Sequence, residues 1–227
     1  MKKEIKYIII LVIVVFLVII FLNFQENKKN DSGPLGKLES VEIKEYEGKK
    51  LSSIEDFREN SIKGPQYIDK ESYKLKILGL KAGETLYSYD EVIDNYESYE
   101  KVVTLNCVEG WSVTILWEGI LLKDFIDRDQ VSEKTKTIIF RAKDGYSTSF
   151  PIDYIFDNNI IMAYKMNGAE LLPERGFPFQ LVAEDKYGYK WIKWITEIEF
   201  SENAEYEGYW ESRGYSNEGN LGEKFLK

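Results

Sequence analysis

The stretch at residues 104–122 reads TLNCVEGWSVTILWEGILL and contains Cys107, the only cysteine in this chain of 227 residues. The apolar and β-branched residues 102–105 that precede the thiol predict a buried strand. Gly110, three residues after the thiol, indicates a turn. Cys107 is therefore predicted where a rigid strand ends and a loop begins, a position from which a side chain can reach into a cavity.

A second apolar run follows at residues 113–117, and Gly119 is predicted to break it. The apolar residues between 121 and 126 then have the spacing of one face of a short helix. With 44% apolar and 30% charged residues, the composition is that of an ordinary globular protein. The chain is therefore long enough for one domain with a substantial core.

The chain contains no histidine, which excludes Ser-His-Asp and Cys-His catalysis and any zinc or haem site ligated by histidine. A single cysteine excludes an internal disulfide, a CxxC redox pair and a cysteine-ligated iron–sulfur cluster. A lone cysteine is by itself most often a small buried hydrophobe without chemistry. An enzyme of this composition works with carboxylates, Tyr, Lys and Arg, or with a bound cofactor.

The net charge of the chain is −9, and residues 25–227 alone carry 27 basic and 38 acidic side chains. Such an acidic surface repels phosphate backbones, so nucleic acid is not expected as a partner. An anionic small-molecule substrate would need a local basic pocket.

Residues 7–24 form an uncharged apolar run, long enough as a helix to span about 27 Å at ~1.5 Å per residue, just enough for a bilayer core. No small-residue cleavage site follows it, which favours an uncleaved membrane anchor over a signal peptide. Lys2, Lys3 and Lys6 precede the run, so the domain is expected outside the cytoplasm as a single-pass cell-membrane protein. We therefore divide the chain into an anchor (1–24), a polar juxtamembrane linker (25–50), one domain (51–215) and a C-terminal tail (216–227).

Local patterns along the domain predict mostly strands. Ser88 with Glu91 has the spacing of a capping box, which predicts a helix that begins near Ser88. The Asp144-Gly145 dipeptide predicts a hairpin turn. The predicted strands are 73–80, 137–141, 146–150, 160–164 and 190–200, the last with Trp191 and Lys193 on the face opposite Ile192 and Trp194.

Three motifs together resemble the sulfite oxidase family, which includes the bacterial methionine sulfoxide reductase catalytic subunits. The first is Cys-Val-Glu-Gly-Trp-Ser at residues 107–112. The second is Leu-Leu-Pro-x-x-Gly-x-Pro-x-x-Leu-Val at 171–182 followed by Tyr-Gly-x-Lys-x-x-Lys at 187–193. The third is Trp-x-x-Arg-Gly-Tyr at 210–215. The resemblance covers roughly residues 51–215 and implies a strand-rich α+β domain that binds a molybdopterin cofactor.

The resemblance also implies roles for individual residues. The thiolate of Cys107 would ligate molybdenum and so be the catalytic residue of the site. Asn60, Arg175 and the stretch Trp191, Ile192 and Lys193 would hold the pterin, with Lys193 paired to its phosphate. The implied reaction is oxygen-atom transfer on a small S-oxide, a sulfite-like substrate or another oxyanion, with a separate electron-transfer partner.

Some positions differ from the family pattern. Gln180 stands where relatives usually carry an arginine, Arg175 stands where some carry Asn or His, and Ala142 lies near a cofactor-binding threonine of some relatives. No twin arginine precedes the apolar run, although exported relatives commonly use one. These differences leave an alternative open, a membrane-tethered binding or structural module that has this fold without the metal.

Overall fold

Strands account for most of the regular structure in the computed structural model, which describes residues 41–227. The strands are β1 Glu45–Tyr46, β2 Lys49–Lys50, β3 Leu75–Leu78, β4 Thr85–Tyr87, β5 Tyr99–Asn106, β6 Ser112–Leu121, β7 Thr137–Ala142, β8 Ser147–Pro151, β9 Ile161–Met166, β10 Ala169–Glu170, β11 Gln180–Val182 and β12 Ile195–Ser201. The helices are α1 Tyr89–Asp94, α2 Leu122–Phe125 and α3 Ile152–Asp157. Single 3₁₀ turns lie at Ile54–Asp56, Arg128–Gln130, Pro173–Arg175, Gly188–Lys190 and Glu211–Arg213.

The longer strands form two five-stranded sheets. In the first, β10 and β11 both pair with β9, and the order continues through β6 to β5, with every pairing antiparallel. The second has the order β4-β3-β12-β7-β8, in which β3 and β12 are parallel and the other neighbours antiparallel. The strand-rich α+β class predicted from the sequence is confirmed.

Backbone hydrogen bonds connect the two sheets between β11 and the segment that precedes β12. The amide of Leu181 donates to the carbonyl of Ile192 at 2.9 Å, and the amide of Ile195 donates to the carbonyl of Phe179 at 3.2 Å. Trp117, Phe179 and Trp194 are almost completely buried around this junction. Large aromatic side chains thus fill the junction of the two sheets, and the candidate site lies beside this junction.

The local turn and capping predictions are confirmed. Ser88 caps α1, and its side chain and that of Glu91 exchange hydrogen bonds with each other's backbone amides. Asp144 and Gly145 turn the chain between β7 and β8, with Gly145 at φ +91°. From Tyr73 to Ile77, buried and more exposed residues alternate as predicted for a half-buried strand.

The hairpin of β5 and β6 presents the cysteine as predicted. Thr104 lies opposite Thr114, and Cys107 is the first residue after the last pair of the ladder. The amide of Cys107 donates to the carbonyl of Trp111 at 2.9 Å, and the amide of Gly110, at φ +83°, donates to the carbonyl of Cys107 at 3.1 Å. The strand predicted before the cysteine is confirmed as part of β5, with Val103 and Leu105 buried and Val102 and Thr104 half-buried on the other face.

Gly119 does not break β6, which continues to Leu121. A Cβ at Gly119 would come within 2.2 Å of the carbonyl oxygen of Met162, so this glycine allows β6 and β9 to approach each other closely. The ladder shifts register at this position, between Glu118 and Gly119. The predicted break is therefore a β-bulge inside a longer strand.

The predicted strand 190–200 is wrong over its first five residues. A 3₁₀ turn occupies Gly188–Lys190, Trp194 has φ +54°, and β12 begins only at Ile195. Trp191 and Ile192 are therefore both buried, although a strand would have placed them on opposite faces. From Glu197 onward the predicted alternation holds, with Ile198 and Phe200 buried and the two glutamates half-buried.

The two ends of the described chain are connected to the domain. The carboxylate of Glu42 accepts hydrogen bonds from the amide of Ile54 at 2.6 Å and from Asn167 Nδ2 at 3.1 Å. Near the other end, isolated antiparallel β-bridges pair Lys186 with Asn220 and Tyr215 with Leu226. The predicted anchor (1–24) and residues 25–40 of the predicted linker lie outside the described residues. Within residues 41–227 there is no helix with the length and apolarity to cross a membrane.

Candidate functional site

A cavity of about 460 Å³ opens where the ends of both sheets meet. Its walls come from residues 57–64, the β5–β6 turn, the β7–β8 hairpin, and the segments before β11 and β12. The volume is within the range of small-molecule and cofactor sites. All six candidate site residues line this one cavity: Asn60, Cys107, Arg175, Trp191, Ile192 and Lys193.

Cys107 is half-buried at the cavity wall. Gly188 lies directly beside it, because a Cβ there would be 3.6 Å from the Cα of Cys107 and 3.2 Å from Leu105 Cδ2. A parallel bridge between Asn106 and Tyr187 holds the two segments together. Across the cavity, Asn60 Nδ2 is 3.8 Å from Cys107 Sγ. The structure thus brings together Asn60 and Cys107, which are 47 residues apart in sequence.

Burial raises the pKa of the Cys107 thiol, and the nearby carboxylate of Glu109 acts in the same direction. The backbone amides of Glu109 and Val108 and the positive charge of Arg58 oppose this effect. Without a bound cation, the thiol is therefore protonated at neutral pH. A metal ion at the sulfur would favour the thiolate instead, since coordination deprotonates a thiol.

Lys193 supplies positive charge to the cavity. Its side chain is only 16% exposed, its Nζ lies 2.9 Å from Glu59 Oε1, and it is 4.2 Å from the ring centroid of Trp194. Burial lowers the pKa of Lys193, and the neighbouring charge of Arg175 acts in the same direction, while Glu59 opposes it. Lys193 and Arg175 are therefore two neighbouring cations with one carboxylate between them.

The Arg175 guanidinium is buried and only partly satisfied. Its Nη2 donates to the carbonyl of Phe57 at 2.9 Å, and the group lies 5.5 Å from the Phe57 ring centroid, but Nε has no partner. Ser61 Oγ, also at the cavity, is buried without a partner. Burial lowers the pKa of Arg175. Because unpaired buried polar atoms are costly, these two atoms indicate polar groups of a bound molecule.

Aromatic rings form much of the remaining wall. Trp191 is 4% exposed, donates from Nε1 to the carbonyl of Lys186 at 3.0 Å and packs 5.8 Å from Trp117. Ile192 lies beside it with its backbone carbonyl bonded to β11. Trp191 and Ile192 therefore contribute apolar surface, and the charged contact of this segment comes from Lys193.

Sequence reasoning assigned some residues that do not reach the cavity and missed others that do. Tyr189 lines it, but Tyr187 of the same motif does not. Ala142 is buried outside it, whereas Gln180 is 2% exposed and lines it. The sequence does not single out Glu59, because a carboxylate in a loop does not reveal which residue it contacts until the fold is known.

The protein offers no complete set of metal ligands of its own at this site. Within residues 41–227, no group of three or more His, Cys, Asp or Glu side chains is placed to hold a metal ion. A metal at Cys107 would therefore need its other ligands from a bound molecule, which is the arrangement of a dithiolene pterin that carries its own sulfur ligands.

The sequence profile of the oxidoreductase molybdopterin binding domain matches residues 62–210. The chain belongs to this family. It is 32% identical over 152 residues to the uncharacterized oxidoreductase YuiH of Bacillus subtilis, covering 66% of this chain and 76% of YuiH. It is 32% identical over 130 residues to the protein-methionine-sulfoxide reductase catalytic subunit MsrP of Xanthomonas axonopodis pv. citri, covering 51% of this chain and 40% of MsrP.

The fold is also that of a solved relative. The sulfane dehydrogenase SoxCD from Paracoccus pantotrophus superimposes with a TM-score of 0.60 at 20% identity, over 68% of this chain and 43% of that one. The resemblance drawn from the three motifs is thus confirmed, and the chain is a molybdopterin-family oxidoreductase. The cavity fits such a cofactor, because it combines a soft sulfur ligand, two cations and unpaired buried donors.

Proposed function

We propose that this chain is a membrane-anchored oxidoreductase that uses molybdopterin to transfer an oxygen atom to or from a small substrate. The substrate class is an S-oxide, a sulfite-like molecule or another oxyanion. One observation supports the proposal above the others: the cavity contains Cys107 and the five further residues to which the family resemblance assigns a role. The similarity to MsrP, the catalytic subunit of a protein-methionine-sulfoxide reductase, supports an S-oxide, while the sulfite-like alternative rests on the motif resemblance.

We assign the cofactor contacts as follows. Lys193 and Arg175 would pair with the phosphate, because both cations face the cavity and lie close to each other. The Asn60 amide would donate to a polar group near the metal. Cys107 would be the single protein ligand to molybdenum, a soft donor suited to a sulfur-rich site. When bound, the molybdenum centre would supply oxygen-atom transfer and the accompanying two-electron change.

The residues around Cys107 would control its proton. Burial and Glu109 keep the sulfur protonated when no cation is present, so loading of the metal would release one proton to solvent. Arg58 and the two amides already present would then stabilise the thiolate. The aromatic wall formed by Trp111, Trp191 and Trp210 would exclude water from the substrate side of the cavity.

The electrons require a second protein. With no histidine and one cysteine, the chain has the ligands for neither a bis-histidine haem nor a four-cysteine cluster. We propose a separate electron-transfer partner. We also propose that residues 7–24 anchor the domain at the outer face of the cell membrane, on the uncharged length of that run and the lysines before it.

The test of this function is Cys107→Ser in protein purified from its own host. We expect the wild type to contain molybdenum and pterin in equal amounts, and the variant to stay folded but lose S-oxide reduction or sulfite oxidation. The substitution is nearly isosteric and should lower the free energy of unfolding by only about 1–3 kcal/mol through the buried hydroxyl. Oxygen is a harder donor than thiolate, so the metal ligand is lost while the fold is kept.

A matched control moves the thiol along the same hairpin. Ser112 is exposed, lies opposite Asn106 and does not line the cavity. Adding Ser112→Cys to the Cys107→Ser variant should therefore leave activity lost. Wild-type protein without molybdenum or pterin would contradict the enzyme and favour the tethered binding module, for which the neutral Gln180 in the cavity is the supporting observation.

A further inference from the structure

The loop at residues 57–64, here called the cavity loop, covers one side of the cavity. Its contacts reach the residues assigned above to the cofactor. Arg175 Nη2 donates to the carbonyl of Phe57 at 2.9 Å, and Asn60 Nδ2 lies 3.8 Å from Cys107 Sγ. Between them, Lys193 Nζ donates to Glu59 Oε1 at 2.9 Å. The cavity loop is thus held by the groups that a cofactor would need.

Glu59 is the anionic member of these contacts. Its side chain is 29% exposed while that of Lys193 is 16% exposed, so the ion pair is largely shielded from water. Glu59 also lies close enough to Arg175 to favour the charged guanidinium. Glu174 also favours the charge of Arg175, but Glu59 is the carboxylate that acts on both Lys193 and Arg175, as a phosphate would.

Lys193 has little capacity left for a second anion while Glu59 is bound. Its Nζ makes one longer contact, 3.4 Å to the carbonyl of Glu174, and lies over the ring of Trp194. A phosphate at the same ammonium would bring a dianion against the Glu59 carboxylate, and such contact between like charges is strongly unfavourable where little water screens it. The two anions therefore compete for one position.

We propose that Glu59 occupies the anion position of the cavity when no cofactor is bound, and that the cofactor's phosphate must displace it together with the cavity loop. This inference rests on the proposed function, because it takes Lys193 and Arg175 as the phosphate contacts. Glu59 is then an internal competitor that weakens anion binding and closes the empty site.

Inorganic phosphate is the probe for the test, titrated calorimetrically into full-length protein produced without the cofactor. Glu59→Gln should bind phosphate at least about fivefold more tightly than wild type, the lower end of usual coupling between competing sites. Glu109→Gln is the charge-matched control, since its carboxylate lines the cavity beside Cys107 and accepts from Trp111 Nε1 rather than from Lys193 or Arg175. Because the phosphate would lie at the two cations and not at Cys107, the control should change phosphate affinity by no more than about twofold.

The double variant Glu59→Gln/Lys193→Gln tests whether Glu59 and phosphate compete at Lys193. If Glu59 acts by occupying Lys193, the gain from Glu59→Gln should disappear once Lys193 is removed. A gain that persists without Lys193 would overturn the proposal, as would equal phosphate affinity in wild type and Glu59→Gln. If Glu59→Gln does not fold, Glu59→Asp replaces it, since the shorter carboxylate reaches Lys193 less well and should show a smaller gain.

A second measurement follows the cavity loop directly. Trypsin cleavage after Lys63 should be faster in Glu59→Gln than in wild type, and phosphate should accelerate it in wild type but not in Glu59→Gln. Cleavage after Arg58 is not compared, because the substitution changes the residue next to that bond. An unchanged rate at Lys63 in every case would refute displacement of the loop. Pterin analysis of wild type separates this outcome from failure of the proposed function, since pterin can be present whether or not Glu59 competes.

Discussion

Replacing Lys190 with methionine should strongly destabilise the protein, although this lysine belongs to the same motif as Lys193. Lys190 and Glu211 are both fully buried and lie 2.7 Å apart. The ammonium also donates to the carbonyls of Ser149 at 2.7 Å and Asn217 at 2.8 Å, so all three of its protons are bonded. Glu211 in turn accepts from Thr148 Oγ1 at 2.6 Å.

The magnitude follows from what Lys190→Met leaves behind. An uncompensated buried carboxylate at Glu211 costs about 3–5 kcal/mol. The two carbonyls that lose a donor add on the order of 1 kcal/mol each. Protonation of Glu211 would recover part of this cost, so we expect the free energy of unfolding to fall by roughly 3–6 kcal/mol. That is a large fraction of the stability of an ordinary domain.

The assay is urea unfolding of the full-length chain in mild detergent, followed by tryptophan fluorescence. The double variant Lys190→Met/Glu211→Leu removes both charges and should be at least about 2 kcal/mol more stable than Lys190→Met. Arg128→Met is the control, because its exposed pair with Asp153 should contribute less than about 1 kcal/mol. The double variant should also keep its pterin, since Lys190 does not line the cavity.

Two results would refute this reasoning. A cost below about 1 kcal/mol for Lys190→Met would mean that the buried pair is solvated or dispensable. Loss of pterin from a folded double variant would mean that Lys190, rather than Lys193, is the lysine of the motif that serves the cofactor.

Two further predictions concern pH and topology. Burial raises the pKa of the tyrosines Tyr73, Tyr89, Tyr146, Tyr154 and Tyr189 above the ordinary value near 10. Their contribution to the free energy of unfolding is therefore complete below pH ~10 and is lost as the pH rises further, by up to about 1.4 kcal/mol per pH unit for each tyrosine. Tyrosinate absorbance should increase together with the loss of circular dichroism. Full ionisation of these tyrosines in folded protein near pH 10 would contradict the prediction. Protease added to intact cells or protoplasts should degrade the domain, and complete protection until lysis would reverse the proposed orientation.

Sequence reasoning succeeded where a short segment determines its own structure. The capping box of Ser88 and Glu91 and the turn at Asp144-Gly145 depend on hydrogen bonds and φ angles within four residues. The position of Cys107 at a strand end was predicted from the same kind of local pattern. These signals need no knowledge of the partner strand.

The errors arose where a distant segment decides the outcome. The sequence predicts a strand break at Gly119, but a glycine is needed there because of the carbonyl of Met162 on β9, 43 residues later. The early start assigned to β12 failed because bonds from Leu181 and Phe179 hold residues 192–195 in a different path. Alternation of side chains along 190–194 is a valid strand signal, and tertiary hydrogen bonds override it.

The separation between Lys190 and Lys193 connects the stability of this fold to its chemistry. The two lysines point to different surroundings, Lys190 to Glu211 and Lys193 to the cavity. Glu211 belongs to the segment that contains Trp210 and Tyr215, which both line the cavity. The buried ion pair therefore positions Trp210 and Tyr215 at the cavity, although Lys190 and Glu211 do not line the cavity themselves. Two of the three motifs, at 187–193 and 210–215, thus form one interaction, and a change at Lys190 should lower the stability of the fold while the side chains that line the cavity stay in place.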